Sequence, residues 1–446
     1  MPRAGPARAF SRPQVIRTEA QAERELRSLE LFGMRFGLDR MRRMMTVLGS
    51  PERRFDTIHV LGTNGKSSTT RMTAAILQRH GLRTGAYLSP HLVSYRERIL
   101  VAGRELEPDD FTAAVARASW AAERVNRTLA QDDHVTQFEL LTAAALWEMA
   151  RQQVEVAVME AGLGGRYDAT SVIDAQVTVL TNVGLEHTRW LGPTIKDIAE
   201  EKLAVVRPQG TLVLGDGLAA PALAVAERVA GERDAQILRP SPMPAATALH
   251  ARGAFQRANF ALARTAAEAY LRGAGIPLRE QAVADAASST EIPGRLQLVS
   301  RQPPTVLDGA HNPHAIAALI ESLPEVLDAR PPAPIALVLG VLEDKDAAAM
   351  LAALMPHIER AWFTAPPSSR ALSPAALQSL ARQLGYEATS CEPQPSRALE
   401  QAREWASQHD GAVLATGSVY LVGDLLGALE GDGAAHGETI ARSSAR

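Results

Sequence analysis

Residues 56–68 read DTIHVLGTNGKSS, and this stretch decides the fold of the chain. The run Asp56–Leu61 predicts a buried strand, and residues from about Ser67 to His80 predict a helix, with a glycine-bearing loop between them. In such a unit, backbone N–H groups and a helix N-terminus hold phosphate oxygens. Lys66 would supply a point charge to the terminal phosphates, and Ser67 would reach Mg²⁺. Gly62 and Gly65 are closer together than in the standard phosphate loop, so a glycine turn with a surface lysine is the alternative.

Apolar runs alternate with helical stretches along the rest of the chain. Further strands are predicted at Thr84–Leu88, Val154–Met159, Ala175–Val183 and Gly210–Gly215. Strands separated by helices favour a parallel sheet that is covered on both faces. Prolines cluster around Ser288–Pro304, and the alternation restarts after them. The sequence therefore predicts the α/β class, with a P-loop-type, mostly parallel sheet domain and a second, smaller Rossmann-like α/β domain.

The predicted domain organisation has four parts. We expect a basic tail over residues 1–27, a first domain over 28–297, a second domain over 298–430 and a tail over 431–446. The first eighteen residues carry four arginines and no acid, and an organelle transit peptide is the less favoured alternative for them.

Composition excludes several classes of function. The chain has 446 residues and a net charge of −3, which gives no support to a nucleic-acid or membrane partner. No apolar run is long enough to span a membrane. Its one cysteine, Cys391, allows no intrachain disulfide, so we expect a cytoplasmic protein.

Lysine is rare in this chain. Lysine and arginine together number 47, but only four are lysines: Lys66, Lys196, Lys202 and Lys345. Arginine cannot replace lysine where a compact charge or a deprotonatable amine is needed. We expect Lys345 to lie near the same cleft as Lys66 and Lys202, and we assign no role to Lys196.

Further polar residues follow predicted strands. Glu160 ends a central strand, where a carboxylate suits Mg²⁺, although a solvated acid is an equal alternative for the residue alone. His187 comes just past the next strand, and a lone histidine is more often structural than a ligand. Asp308 and His311 follow the first strand of the second domain, and Arg295 lies in the hinge before it.

Eight ordered motifs together resemble the folylpolyglutamate synthase/dihydrofolate synthase family of the ATP-dependent Mur ligase superfamily. The motifs are GTNGK (62–66), SPHL (89–92), YRERI (95–99), Glu160 with GLGGRYDAT (162–170), TNVGLEHT (181–188), EK (201–202), PGRLQ (293–297) and DGAHNPHA (308–315), and the resemblance as a whole runs from about Leu31 to Gly423. The resemblance implies that 28–297 is an ATP-binding Mur ligase central domain and that 298–430 is a C-terminal glutamate ligase domain.

The resemblance also implies a reaction. ATP would phosphorylate a folate or dihydropteroate carboxylate to an acyl phosphate, which the α-amine of L-glutamate attacks to give an amide, ADP and phosphate. The implied cofactors are ATP and Mg²⁺, and the implied assembly is a monomer. One alternative is another Mur-type ligase acting on a different carboxylate, although the 61 residues before Gly62 are short for the UDP-sugar domain of a peptidoglycan Mur ligase. A nucleotide-binding module without catalysis is the other alternative, and it would leave metal ligands on three strand ends unexplained.

Residue roles carried over by position come from the same resemblance. The implied ATP-binding residues are Asn64, Gly65, Lys66, Ser67, Asn259, Arg295 and Asp308. The implied metal ligands are Ser89, Glu160 and His187, and Thr136 matches a position near the folate substrate. Lys202 matches a lysine that CO₂ carbamylates to N6-carboxylysine. The implied catalytic set is Lys66, Lys202, His187, Asp308 and His311.

The chain departs from the family pattern at three places. Ser67 stands where the family loop usually has glycine, Leu203-Ala204 replaces Ala-Gly after the key lysine, and Tyr167 replaces leucine in RLDAT. We expect these changes to affect rate and substrate preference while leaving the reaction class intact.

Overall fold

A computed structural model describes residues 16–29, 37–130, 132–243, 247–327 and 334–429. The predicted tail over 431–446 lies outside the described residues. Among the residues described, no helix is both long enough and apolar enough to cross a bilayer.

The first sheet has eight strands, with β2, β5, β1, β6, β7 and β8 parallel and β3 and β4 antiparallel at one edge. The strands are β1 (Asp56–Leu61), β2 (Thr84–Tyr87), β3 (Ile99–Val101), β4 (Arg104–Glu105), β5 (Val156–Glu160), β6 (Val177–Leu180), β7 (Thr211–Leu214) and β8 (Gln236–Leu238). Their order across the sheet is β4-β3-β2-β5-β1-β6-β7-β8. The loops after β1, β5 and β6 therefore leave the sheet at one edge, because the carboxyl ends of parallel strands lie together.

Within the described ranges, ten α-helices cover this sheet on both faces. They are α1 (Glu19–Ser28), α2 (Asp39–Leu48), α3 (Lys66–Arg79), α4 (Pro108–Asn126), α5 (Gln137–Arg151), α6 (Thr188–Leu191), α7 (Ile195–Leu203), α8 (Ala220–Arg233), α9 (Ala254–Gly273) and α10 (Glu280–Ser289). One core, which includes Met44, Phe111 and Leu140, lies among α1, α2, α4 and α5. Another core, which includes Ile76 and Phe260, lies beneath α3, α9 and α10. Burial on both faces explains why the central strands are almost wholly apolar.

Among the described residues the second sheet has six strands, and β9 is the one that runs antiparallel to its neighbour. In chain order its elements are β9 (Gln297–Arg301), β10 (Pro304–Leu307), α11 (Pro313–Leu327), β11 (Ile335–Leu339), α12 (Ala347–Leu354), β12 (Arg360–Phe363), α13 (Pro374–Gln383), β13 (Thr389–Cys391), α14 (Pro395–Gln408), β14 (Ala412–Thr416) and α15 (419–429). The predicted fold class, two α/β units with mostly parallel sheets, is confirmed. The boundary between residues 297 and 298 stays a prediction, and the first strand of the second sheet begins at Gln297.

The prediction of a tail over residues 1–27 is wrong for the part from Glu19 onward. Residues Glu19–Ser28 form α1, which Thr18 caps by accepting a hydrogen bond from the backbone N–H of Gln21. Ala22 and Leu26 are fully buried against α4. These two residues are one helical turn apart, so a helix that is charged over most of its surface still has a narrow apolar face.

Candidate active site

The phosphate loop between β1 and α3 has a shape that requires glycine. Gly65 has a φ of 82°, and a Cβ added there would lie 2.5 Å from Oδ1 of Asn259. Lys66 begins α3, and its Nζ donates a hydrogen bond to the carbonyl oxygen of Thr63 at 3.0 Å. The loop thus leads directly into a helix N-terminus with the lysine amine beside the loop backbone, and a helix N-terminus next to such a loop is an arrangement that binds phosphate.

Residues at the end of β6 hold this loop in place. Oδ1 of Asn182 accepts hydrogen bonds from the backbone N–H of Thr63 at 3.2 Å and of Asn64 at 2.8 Å. Oγ1 of Thr181 donates to the carbonyl oxygen of Asn64 at 2.6 Å. The loop is therefore preorganised by the neighbouring strand.

Glu160 is a buried carboxylate at the end of β5. Its Oε1 accepts a hydrogen bond from Oγ of Ser67 at 2.9 Å, and its Oε2 accepts one from the backbone N–H of Ser89 at 3.0 Å. Burial raises the pKa of the Glu160 carboxyl, and the Lys66 ammonium opposes that shift. Two predicted site residues from separate elements, Ser67 and Ser89, thus meet at the carboxylate of a third, Glu160.

The donors around Glu160 suit Mg²⁺. The described part of the chain contains no group of three or more His, Cys, Asp or Glu side chains arranged to hold a metal ion. Mg²⁺ does not need such a cage, because it usually keeps several waters and binds one or two carboxylates together with substrate phosphates. A carboxylate and a hydroxyl beside a phosphate loop fit that requirement.

His187 lies in the loop before α6, with a φ of 53°. Its side chain lines the same cavity as Glu160. Burial lowers the pKa of His187 to about 4, although Glu186 opposes the shift. The imidazole is therefore neutral at pH 7, which is the form that binds a metal ion.

Lys202 lies on α7 behind the phosphate loop. Its side chain is buried, and Nζ donates a hydrogen bond to the carbonyl oxygen of Gly62 at 2.8 Å. Burial and the nearby Lys66 ammonium lower the pKa of Lys202 to about 7. Lys202 contacts the loop backbone and is not among the residues that line the cavity.

Asp308 organises the hinge on the side of the second domain. Its Oδ2 accepts a hydrogen bond from the backbone N–H of Leu296 at 2.8 Å, and its Oδ1 accepts one from that of Ala310 at 2.7 Å. Burial raises the pKa of Asp308, and Arg295 opposes the shift. The carboxylate therefore ties the segment after β10 to the hinge residues just before β9.

The two domains enclose one cavity of about 230 Å³. Every residue predicted to bind ATP or metal lines it, as does His311. Asn64 of the phosphate loop crosses to the second domain here, because its amide accepts a hydrogen bond from Nδ2 of Asn312 at 2.9 Å and donates one to Oδ1 of the same residue at 3.3 Å. The roles assigned to the lining residues remain predictions, but their convergence on one cavity is observed.

A second cavity of about 350 Å³ lies next to the first and shares Ser89, Pro90, Gly162 and His187 with it. Thr136 lines this second cavity, as predicted for a position near an acid substrate. Thr136 also caps α5: its side chain accepts a hydrogen bond from the backbone N–H of Glu139. Removing it would therefore affect the helix as well as the cavity.

Sequence reasoning missed Glu186 as a site residue. Its Oε1 accepts a hydrogen bond from Nζ of Lys345 at 2.8 Å, so the expectation that Lys345 lies near the cleft is confirmed. Burial would raise the pKa of Glu186, but His311, Lys345 and His187 together hold it well below its ordinary value. The only signal for Glu186 in the sequence was its place within the motif TNVGLEHT. The remaining lysine, Lys196, is exposed on α7.

Comparison with known proteins agrees with this geometry. Residues 60–218 match the Mur ligase middle domain, and residues 294–419 match the Mur ligase glutamate ligase domain. Folylpolyglutamate synthase from Lacticaseibacillus casei is 34% identical over 366 residues, which cover 76% of this chain and 84% of that protein. The chain belongs to the folylpolyglutamate synthase/dihydrofolate synthase family. The predicted family is thereby confirmed. The prediction of an ADP-forming ligase is confirmed at the level of the family.

Other members of the family show the same relationship. Dihydrofolate synthase/folylpolyglutamate synthase from Escherichia coli is 35% identical over 344 residues, or 74% of this chain and 77% of that protein. A probable bifunctional folylpolyglutamate synthase/dihydropteroate synthase from Haloferax volcanii is 34% identical over 423 residues, or 89% of this chain. The chain spans about half the length (49%) of that archaeal relative.

Solved structures of family members superpose over most of the chain. Mycobacterium tuberculosis folylpolyglutamate synthase complexed with ADP has a TM-score of 0.85 and 30% identity, and covers 92% of this chain and 98% of that one. A bifunctional folylpolyglutamate synthase/dihydrofolate synthase from Yersinia pestis, complexed with AMPPNP and a Mn ion, has a TM-score of 0.80 and 28% identity. It covers 94% of this chain and 100% of that one.

Proposed function

We propose that this protein joins L-glutamate to the carboxylate of a folate or dihydropteroate, using ATP and Mg²⁺, by way of an acyl phosphate. The observation that carries the proposal is the convergence of the phosphate loop, Glu160 and the second-domain residues Asp308 and His311 on one cavity. A second cavity opens beside it and shares His187 and Ser89, so an acid bound there would lie next to the phosphates. Relatives that bind ADP or AMPPNP with a Mn ion support the same assignment.

The chemistry requires a site that brings two anions together. A carboxylate becomes a good electrophile only once it carries a leaving group, here a phosphate. To gain that phosphate, the carboxylate must attack a phosphoryl group of ATP, and this approach of two anions needs positive charge around both. The backbone N–H groups of the phosphate loop and the Lys66 ammonium supply part of that charge. Glu160, Ser67 and Ser89 would hold one Mg²⁺, and Glu160 with His187 would serve another. Each ion would neutralise charge on the phosphate oxygens when bound.

Parallel turnover assays with two acceptors test the proposal. ADP release should depend on L-glutamate, Mg²⁺ and either dihydropteroate or tetrahydrofolate, and mass spectrometry should find the product one glutamate heavier. Release with only one acceptor would assign the chain to dihydrofolate synthase or to folylpolyglutamate synthase alone. No release with either acid would refute the proposal and leave another Mur-type ligase, acting on a different carboxylate, as the alternative.

Ser67→Ala should weaken the use of Mg²⁺. The Ser67 hydroxyl lies 2.9 Å from the Glu160 carboxylate, in the position where a phosphate-loop hydroxyl reaches the metal ion. Losing one charge-assisted contact should raise the Mg²⁺ concentration for half-maximal activity roughly 5- to 10-fold. A Mg²⁺ titration of turnover measures this, with Ser67→Thr as the matched variant that keeps the hydroxyl. An unchanged Mg²⁺ requirement in Ser67→Ala would show that the hydroxyl is not used.

We also propose that the protein acts in the cytoplasm as a monomer. A chain with a single cysteine cannot form an intrachain disulfide and suits a reducing compartment. Each of the two cavities is lined by residues of this one chain from both domains, so a second copy is not needed to complete either. Light scattering during size-exclusion chromatography tests the oligomeric state, and a stable dimer would contradict the proposal.

A further inference from the structure

One carboxylate connects the two domains beside the cavity of about 230 Å³ that we propose binds ATP, called the ATP cavity below. Glu186 lies between β6 and α6 of the first domain, and its side chain is only 12% exposed. Its Oε1 is 2.8 Å from Nζ of Lys345 and 3.5 Å from Nε2 of His311, which both belong to the second domain. The same oxygen lies 3.7 Å from Nε2 of His187. We call these four residues the junction cluster.

The second-domain half of the junction cluster is braced by backbone hydrogen bonds. Lys345 lies in the loop between β11 and α12, and its backbone N–H donates to the carbonyl oxygen of Leu342 at 3.1 Å. In the same loop, the backbone N–H of Glu343 donates to the carbonyl oxygen of Arg370 at 2.8 Å. Nδ1 of His311 is fixed by a 2.8 Å hydrogen bond to the carbonyl oxygen of Gly309. The position of Lys345 is therefore coupled to that of the loop that carries Arg370.

An ionic chain extends from the junction cluster to the second cavity. Nζ of Lys345 lies 3.4 Å from Oδ2 of Asp344, and NH1 of Arg370 lies 3.5 Å from Oδ1 of Asp344. Glu186 lines the ATP cavity, whereas Arg370 lines the second cavity. One chain of alternating charges thus links the walls of both cavities.

The burial of each ion pair decides how much it contributes to holding the two domains together. Exposed ion pairs contribute little to stability, and the Asp344–Arg370 pair is 38% exposed on both sides. The Lys345 and Glu186 side chains are 11% and 12% exposed, so removing the lysine leaves a carboxylate that water cannot fully solvate. Among the ion pairs that link the two cavities, the Lys345–Glu186 contact should therefore contribute most of the interaction free energy.

We propose that Lys345 is a positioning residue which, through Glu186, holds the second domain closed so that His311 faces the ATP cavity and Arg370 faces the second one. The effect on turnover rests on the function proposed above. The effect on domain closure requires only that the nucleotide and the acid bind, because it can be measured without any reaction.

The experiment compares Lys345→Met, Lys345→Arg, Glu186→Gln and the Lys345→Met/Glu186→Gln double variant. The matched control is Lys196→Met, since Lys196 is an exposed lysine with no assigned role. We expect kcat to fall roughly 30-fold in Lys345→Met and to recover to within about 5-fold in Lys345→Arg, which keeps the charge. Residues that act as one unit should give a double variant no slower than the slower single variant. Small-angle scattering with an ATP analogue and the acid substrate should show compaction for the wild type and Lys196→Met but not for Lys345→Met.

Two results would overturn the inference. The first is a Lys345→Met variant whose compaction and kcat equal those of the wild type. The second is a double variant whose loss of kcat equals the product of the losses in the two single variants. If Lys345→Met fails to fold, the double variant replaces it, because it leaves no unpaired carboxylate; it should still fail to compact. A wild type that compacts but releases no ADP would refute the proposed function while the scattering comparison still tests Lys345.

Discussion

Lys202→Ala is expected to reduce turnover by about 10³-fold, in line with the loss of a charged group that acts on a phosphoryl-transfer site. Lys202 is buried with its amine 2.8 Å from the carbonyl oxygen of Gly62, directly behind the phosphate loop. With its pKa lowered to about 7, a large share of the amine is neutral at pH 7. A neutral amine can attack CO₂: a new N–C bond forms as one C=O π bond opens, one proton leaves the nitrogen for water, and the neutral amine becomes a carbamate anion.

The pH dependence of this modification follows from the direction of the pKa shift. Because the pKa is lowered, the reactive neutral form should rise from roughly a tenth of the molecules at pH 6 to nine-tenths at pH 8. Protein incubated with ¹³C-labelled CO₂ should therefore show a carbamate signal in NMR spectra that grows over this range. The signal should be missing in Lys202→Ala and present in the control variant Lys196→Ala.

Chemical rescue separates a lost carbamate from a damaged fold. A short carboxylic acid such as acetate can occupy the space left by the side chain and return a negative charge. Turnover of Lys202→Ala should therefore recover in part with acetate, while the wild type should gain nothing. A Lys202→Ala variant that is fully active without additives would contradict the assignment.

The parts of the fold that could be predicted from sequence are those set by local pattern. A short apolar run followed by glycines and a helix predicted β1, the phosphate loop and α3, because each step depends on neighbouring residues alone. Glu160 was found in the same way, as an acid that directly follows an apolar strand. Helix α1 was missed because charged residues dominate its sequence. Only Ala22 and Leu26 of this helix are buried, which is too short an apolar pattern to stand out.

The contacts between the domains could not be predicted in this way. Asn64 and Asn312 are 248 residues apart, and Glu186 and Lys345 are 159 residues apart. Each pair meets only because two separately folded sheets direct their loops at the same cavity, and no local periodicity specifies that arrangement. Lys202 is an intermediate case, since the family motif marked it but its position behind the loop, outside the cavity wall, required the structure.

Glu160→Gln is expected to reduce turnover by about 10³-fold while leaving the protein folded. The carboxylate accepts hydrogen bonds from the Ser67 hydroxyl and the Ser89 N–H, and it is the one buried acid at the end of β5. Glutamine keeps the size and one acceptor oxygen but removes the charge that a divalent cation needs. Turnover should therefore fall at every Mg²⁺ concentration, instead of shifting to a higher requirement as expected for Ser67→Ala.

Stability should move in the opposite direction to activity. Burying a carboxylate costs folding free energy, and burial raises the pKa of Glu160 for the same reason, although Lys66 opposes that shift. Without metal, Glu160→Gln should therefore unfold at a denaturant concentration no lower than that of the wild type. Glu200→Gln is the matched control, because Glu200 is a partly exposed acid on α7 that pairs with Arg228 and should alter neither property. A Glu160→Gln variant that retains turnover would show that this carboxylate is not the acid that holds the metal ion, and one that unfolds at a lower denaturant concentration than the wild type would contradict the expected stability.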